Sequence, residues 1–364
     1  MPPARSRRAG SVGEVAAVGR VVLVTGASRY LGARISAVLA DDPLVDRVIA
    51  VDVVPPRHEL GGAVFVRSDI RNPTILKVLE REGIDTVVHA GVLATPHKAG
   101  GRVSMKETNV IGTMQLLAAC QRSSTVSRFL VKSSTTVYGS SPRDPAVFTE
   151  EMAARVVPRS GYAKDTVEVE AYVRGFARRR PDVEVTTLRF ANTVGPGVTT
   201  PLTAYFEMAF VPTALGYDAR LQLIHEDDAV EILRLATVGD QTGIFNAAGA
   251  GSLLLSQALR MAGRVSVPVP TMASGLTGQL FRRVGLADFS PEQVRFLAHG
   301  RVVDCTRLYE VMGYRPKYST LEAFTEFARE RLGPGPLDVN RVRAVEQAFQ
   351  RALRGPDDEP DGAP

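Results

Sequence analysis

From residue 20 onward the chain alternates short apolar runs with longer stretches of helical spacing. The apolar runs are RVVLVT (20–25), RVIAVD (47–52), AVFVRSD (63–69), DTVVHAG (85–91), RFLVKSS (128–134) and VEVTTLRF (183–190). They are short, rich in Val, Ile and Phe, and bounded by Gly, Asp or Ser, which predicts strands buried on both faces. Between them, 31–40, 72–83 and 104–122 have the length and spacing of helices. Apolar strands alternating with helices predict an α/β fold with a doubly wound parallel sheet. After about residue 195 the pattern changes: Pro and Gly become frequent, strands shorten and helices dominate. A smaller, mostly helical C-terminal lobe is expected there, laid over the carboxyl ends of the strands and closing a substrate pocket. The predicted division is a disordered tail over 1–18, a nucleotide-binding domain over 19–195 to which later segments return, and a substrate-binding lobe over 196–332. A C-terminal helix and polar tail are expected over 333–364.

Composition narrows the class. The 364 residues are 45% hydrophobic and 23% charged, an ordinary globular balance. Cys120 and Cys305 stand far apart with no Cys or His at ligand spacing, so two buried thiols are expected and no metal site. No apolar run approaches the ~18 residues of a membrane span. The N-terminus has arginines but no apolar segment before a cleavage site, so a cytoplasmic protein is expected. The net charge of +5 is spread along the chain without interleaved aromatics, which argues against nucleic acid as a partner.

The chemistry begins at TGASRYLG (25–32), directly after the first predicted strand and opening a helix. Gly26 allows a tight turn, and Gly32 allows the helix to pack close to the sheet. The helix start then offers N–H groups to a pyrophosphate, as in a Rossmann-type dinucleotide site. Arg29 occupies the place of the middle glycine of that pattern, where it either pairs with phosphate or crowds it. Asp52 ends the second strand, 26 positions after Gly26. A carboxylate there accepts hydrogen bonds from ribose hydroxyls and repels a 2′-phosphate, so NAD is the expected cofactor rather than NADP.

Three further runs make the pattern specific: STTVYG (134–139) after a strand, YAK (162–164) opening a helix, and LRFAN (188–192) ending the next strand. Together with TGASRYLG, SDIRN, VDCTR (303–307) and MGYRPK (312–317), the chain resembles the extended short-chain dehydrogenase/reductase family. These are the NAD-dependent epimerases and dehydratases, and it is most similar to the UDP-glucose 4-epimerase-like branch, in an actinobacterial subgroup. The resemblance implies pyrophosphate contacts from Gly26, Ala27, Tyr30 and Leu31, and the ribose on Asp52. It places Asp69 and Ile70 beside the adenine, His89, Ala90, Gly91 and Val92 on the nicotinamide side, and Asn109 in the helix backing the site. Ser134 would hold the reacting oxygen and Tyr162 would be the acid/base. Thr135 and Asn192 would meet the substrate, a nucleotide sugar, and a homodimer would form through helices near 104–122 and 160–178. His225 is expected to be structural.

Two departures stand out. The family's tyrosine is followed four residues on by a lysine, which holds the nicotinamide ribose and lowers the tyrosine pKa. Here that position is Thr166, and Lys164, at the second position, points about 200° away on a helix. Lys132 lies two residues before Ser134 on its strand, hence on the same face, and is the candidate replacement cation. The family's sugar-nucleotide arginine, four before the histidine, is Leu221, with Arg220 one step off. Three functions follow. The first is a nucleotide-sugar oxidoreductase or isomerase; the second, a catalytically impaired NAD-binding sensor or scaffold. The third is a reductase of a lipid or steroid-like alcohol, for which 267–297 is apolar enough.

Overall fold

The computed structural model describes residues 19–94, 101–270 and 290–332. The expected tails (1–18 and 333–364) and most of the apolar segment 267–297 lie outside the described residues.

The first half runs β1 (Arg20–Thr25), α1 (Tyr30–Ala40), β2 (Val45–Asp52), β3 (Val64–Arg67), α2 (Ile75–Glu82), β4 (Thr86–His89), α3 (Arg102–Lys106), α4 (Gly112–Arg122), β5 (Arg128–Ser134), α5 (Gly161–Arg179) and β6 (Glu184–Phe190). Then follow β7 (Asn192–Val194), α6 (Pro201–Glu207), β8 (Phe210–Ala214), β9 (Arg220–Leu221), β10 (Leu223–His225), α7 (Glu226–Val238) and β11 (Gly243–Ala247). The last described elements are β12 (Leu253–Leu254), α8 (Leu255–Met261), β13 (Val265–Val269), α9 (Pro291–His299), β14 (Gly300–Arg301), α10 (Thr306–Glu310) and α11 (Thr320–Phe327).

Seven strands form the central sheet in the order β11-β6-β5-β4-β1-β2-β3, every pair parallel. The expected doubly wound Rossmann fold is present, and β11 returns from the second half to extend the sheet. Alternate strand residues serve opposite faces. Val22, Val24, Leu130 and Leu188 pack with Ile35 and Leu39 of α1 and Ile232 and Leu233 of α7. Leu23, Ile49, Val87 and Phe129 pack with Leu79 of α2, Leu116 of α4 and Val173 and Phe176 of α5. That two-sided burial is why these strands read as continuous apolar runs. Strand order reverses between β1 and β4, so a crevice opens there at the carboxyl ends.

The second half builds its own core from Leu202, Tyr205, Phe206, Leu221, Leu259, Phe296, Phe324 and Phe327. Its strands are two to five residues long and pair in small sheets. One feature of the 104–122 helix is irregular: a π-helical turn over Glu107–Ile111 joins α3 to α4. Such turns concentrate at functional sites, and this one carries the buried Asn109. Cys120 and Cys305 are buried free thiols, each pushed up to about 12 by burial.

Candidate active site

The turn after β1 is built on backbone approach. Gly26 has φ +82°, and a Cβ on it would lie 2.6 Å from the Gly91 Cα. A Cβ on Gly32 would lie 2.1 Å from the Gly26 carbonyl oxygen. Ala27 and Leu31 are buried in the same turn. The N-terminus of α1 has no side-chain cap and no acidic residue in its first turn. Its free N–H groups and dipole suit an anion, and a side chain on either glycine would fill the cradle.

Asp52 ends β2 beside this cradle. Its carboxylate accepts from Ser28 N at 3.0 Å, Ser28 Oγ at 2.6 Å and Val53 N at 2.7 Å. Ser28 thus fixes the carboxylate at the edge of the crevice. The Arg29 guanidinium makes no hydrogen bond or ion pair among the described residues. Burial lowers its pKa and the charge of Asp52 raises it. Tyr30 turns its hydroxyl away, donating to Glu226 Oε1 at 2.5 Å, while Glu226 also accepts from Gly197 N and Val198 N. Asp69 is held by Arg71, which donates to both its oxygens at 2.7–3.0 Å. Ile70 packs toward Gly112 at the start of α4.

The floor follows β4. Both ring nitrogens of His89 are tied, Nδ1 to Thr25 Oγ1 at 2.7 Å and Nε2 to Thr113 Oγ1 at 2.8 Å. Thr113 donates its proton to the Asn109 carbonyl, so His89 donates from Nε2 and accepts at Nδ1. Burial, and next the charge of Lys132, push its pKa down to about 4, which keeps the ring neutral. Ala90, Gly91 and Val92 lead to Leu93, whose N–H and carbonyl are clamped by the Asn109 amide at 2.7 and 2.8 Å. The Asn109 amide also donates to Asp165 at 3.2 Å, and Arg102 binds both oxygens of that fully buried carboxylate. Asn109 therefore holds the β4 loop and α5 together.

A cleft opens above β5 and β6. Lys132, Ser134 and Thr136, Tyr162 of α5, Asn192 and Thr193 of β7, and Gln293, Phe296 and Arg301 from the lobe all line it. Lys132 and Ser134 share the cleft, as period-two spacing requires. Burial raises the Tyr162 phenol above its ordinary value; the neighbouring Thr166 and Ser134 side chains oppose this, and the charges of Asp165 and Glu170 raise it further. Behind it, Arg189 donates to both oxygens of Glu170 at 3.0 and 2.8 Å, and Ser133 donates to the same carboxylate at 2.5 Å.

A family model, the NAD dependent epimerase/dehydratase family, matches residues 22–248. This chain belongs to that family. NAD is its cofactor, and the extended short-chain dehydrogenase/reductase resemblance holds. An uncharacterized protein of Mycobacterium tuberculosis is 46% identical over 331 residues, covering 90% of this chain and 88% of that one. A UDP-glucose 4-epimerase of Erwinia amylovora is 30% identical over 186 residues, 48% of this chain and 53% of that one. Among solved structures, the Thermotoga maritima UDP-glucose 4-epimerase with UDP-glucose has a TM-score of 0.66 at 20% identity, covering 85% of this chain and 98% of that one. MoeE5 in complex with UDP-glucuronic acid and NAD has 0.66 at 22%, covering 86% and 98%.

Within this family member, Thr166 stands at the position expected to hold a lysine, and its hydroxyl donates to the Tyr162 carbonyl at 2.9 Å. Lys164 turns outward as its spacing predicts and pairs with Glu168 at 3.7 Å. Arg220 is a correction. It is exposed, donates to the Ala146 carbonyl at 2.7 Å and is outside the cleft lining, because β9 directs it away. The strand beside it, β14, brings in Arg301 instead. That guanidinium is buried and donates to Thr135 Oγ1, Gly139 O and Ser140 Oγ. Burial lowers its pKa to about 10. Thr135 is thus a partner of Arg301 rather than a cleft-lining group. Sequence spacing missed Arg301 because it lies 167 positions after Ser134 in a two-residue strand. His225, expected to be structural, accepts from Asp227 N at the start of α7, stacks on Tyr318 at 3.9 Å and is outside the cleft lining.

Proposed function

We propose that the protein is an NAD-dependent oxidoreductase or isomerase of the epimerase/dehydratase type acting on a nucleotide sugar. The observation that carries this reading is the convergence of Ser134 and Tyr162 in the lining of one cleft, at the carboxyl ends of the strands. When bound, NAD accepts and returns a hydride. Ser134 and Tyr162 would hold the substrate oxygen and move its proton. A phenol raised by burial is neutral at pH 7, which suits it to donate a proton to a carbonyl oxygen. Asn192 and Arg301 are placed to meet a charged or polar substrate arm; among the described residues Arg301 has no carboxylate within ion-pair distance, though the charge of Asp144 reaches it. A homodimer is proposed through α4 and α5, flanked by the exposed Ile111 and Tyr172. The expected site is cytoplasmic, and among the described residues no helix is long and apolar enough to cross a membrane.

One observation favours a second reading, an NAD-binding sensor or scaffold. Thr166 replaces the expected cation, and the buried carboxylates Asp165 and Glu170 act on Tyr162 in the wrong direction for a base. The deciding experiment incubates the NAD-loaded protein with UDP-glucose, UDP-galactose, UDP-glucuronate and dTDP-glucose and separates the products by chromatography. Conversion of one substrate, lowered by roughly a hundredfold or more in Tyr162→Phe, supports the enzyme. No conversion of any of them, with NAD bound, supports the sensor.

A further inference from the structure

Lys132 enters the cleft from β5 with a charge that nothing described neutralises. Its ammonium makes no hydrogen bond or ion pair among the described residues. The groups around it are few. On β4, His89 lies toward the α4 face of the sheet, outside the cleft lining, and is held neutral by its two hydroxyl partners. α5 presents Tyr162, and β6 pairs Leu188 alongside it. The α7 side is apolar, with Ala229, Ile232 and Leu233. The lobe presents Arg301 and one cleft-lining carboxylate, Glu292. Glu292 is already engaged by Arg159 N at 3.1 Å and Arg295 at 3.2 Å.

The path of the dinucleotide follows from the fold. With its ribose at Asp52 and its pyrophosphate on α1, it crosses the switch point toward the ends of β4 and β5. Hydride transfer to or from a carbon whose oxygen sits on Ser134 and Tyr162 requires the nicotinamide ring at near contact with that carbon. The ring therefore shares the cleft that Lys132 lines. The oxidised ring carries one positive charge. Taking up a hydride, one proton with two electrons, leaves it neutral. A nearby fixed cation opposes the oxidised form and barely affects the reduced one.

We infer that Lys132 sets the oxidation-state preference of the bound dinucleotide, so that the protein holds NADH more tightly than NAD⁺. This deepens the proposed function, and it rests on that reading for the place of the ring. Such a preference favours oxidation of the substrate alcohol and retains the reduced cofactor until the hydride is returned.

The pH dependence has a defined sign. Burial pulls Lys132 down to about 8, while His89 lies near 4, Arg301 near 10 and Tyr162 above its ordinary value. Between about pH 6.5 and 9, Lys132 is the described cleft group that changes charge. Below its pKa it is protonated and weakens NAD⁺ binding; above, that penalty disappears.

The test measures dissociation constants of NAD⁺ and NADH by calorimetry across this range for wild type, Lys132→Met and Lys132→Arg. In wild type the ratio of NAD⁺ to NADH constants falls by roughly tenfold or more as pH rises. Lys132→Met holds the low ratio at every pH, and Lys132→Arg holds the high one. A wild-type ratio at low pH no higher than that of Lys132→Met, or a slope that survives in Lys132→Met, overturns the proposal. If the Met variant does not fold, the wild-type slope and the Arg variant decide. A slope without turnover on any nucleotide sugar would sink the catalytic reading and leave this one standing.

Discussion

The two ends of the dinucleotide crevice are built on different principles. The β1–α1–β2 end is a backbone device: Gly26 and Gly32 stand where no Cβ fits, and uncapped N–H groups face the crevice. The β5–α5 end is a side-chain device, with Ser134 and Tyr162 in an expected arrangement but Thr166 and Lys132 redistributing its charge. Backbone-determined geometry tolerates almost no substitution, so it stays recognisable in one sequence. A charge can reach a pocket from several elements, so its position drifts.

This contrast predicts a graded set of effects. The largest belongs to the backbone end. Gly32→Val places carbon atoms against the Gly26 carbonyl and should cost roughly 3 kcal/mol or more of stability, with NAD binding lost. Urea unfolding of apo protein and calorimetry check both; a well-folded variant that still binds NAD breaks the comparison. Nearly as large is Arg189→Met behind the reacting end, which removes the bidentate partner of the buried Glu170 and leaves it only the longer contact to Arg174 at 3.5 Å; it should cost about 3 kcal/mol. A change under about 1 kcal/mol would mean that this network is not what supports β5 and α5.

Asp52→Ala should weaken NAD by roughly 1.5–3 kcal/mol, the range for hydrogen bonds to a charged group. It should also narrow the preference for NAD over NADP, because the repulsion of a 2′-phosphate goes with the carboxylate. Unchanged affinity for both would reduce Asp52 to a partner of Ser28. Smaller still at working pH is the contribution of His89, which lies between the two ends. Its folded pKa is depressed to about 4 by burial, so the unfolded chain binds the extra proton first. The stability is fully present above about pH 6.5 and is lost as pH falls toward 4, by at most roughly 3 kcal/mol. His89→Gln should remove part of the slope of unfolding free energy over that range; an unaltered slope would show that other groups produce it.

The same contrast explains what could be read in the sequence. Five of the six strands were legible because two-sided burial leaves continuous apolar runs; the sixth, β3, is an edge strand without a fully buried residue and was legible from its β-branched and aromatic residues alone. TGASRYLG was legible because only glycine fits its turn. The π-helical turn at Glu107–Ile111 was not legible, since it leaves the apolar spacing of 104–122 intact. Arg301 was hidden because β14 is two residues long and meets Ser134's neighbourhood only through the lobe's fold. Arg220 misled for the reverse reason: on β9 its neighbour Leu221 points into the lobe's core and Arg220 to the surface, and neither lines the cleft. The Arg71 clamp on Asp69 is local, but nothing in the spacing distinguished it from two solvated charges.

The most direct measurement of the central claim adds a nucleotide sugar to stoichiometrically NAD-loaded protein and follows reduced-nicotinamide absorbance in a single turnover. A transient rise in wild type, absent in Tyr162→Phe with NAD binding unchanged, is the expected result. NAD bound in full with no absorbance change for any nucleotide sugar would contradict the claim that Ser134 and Tyr162 form a working redox site.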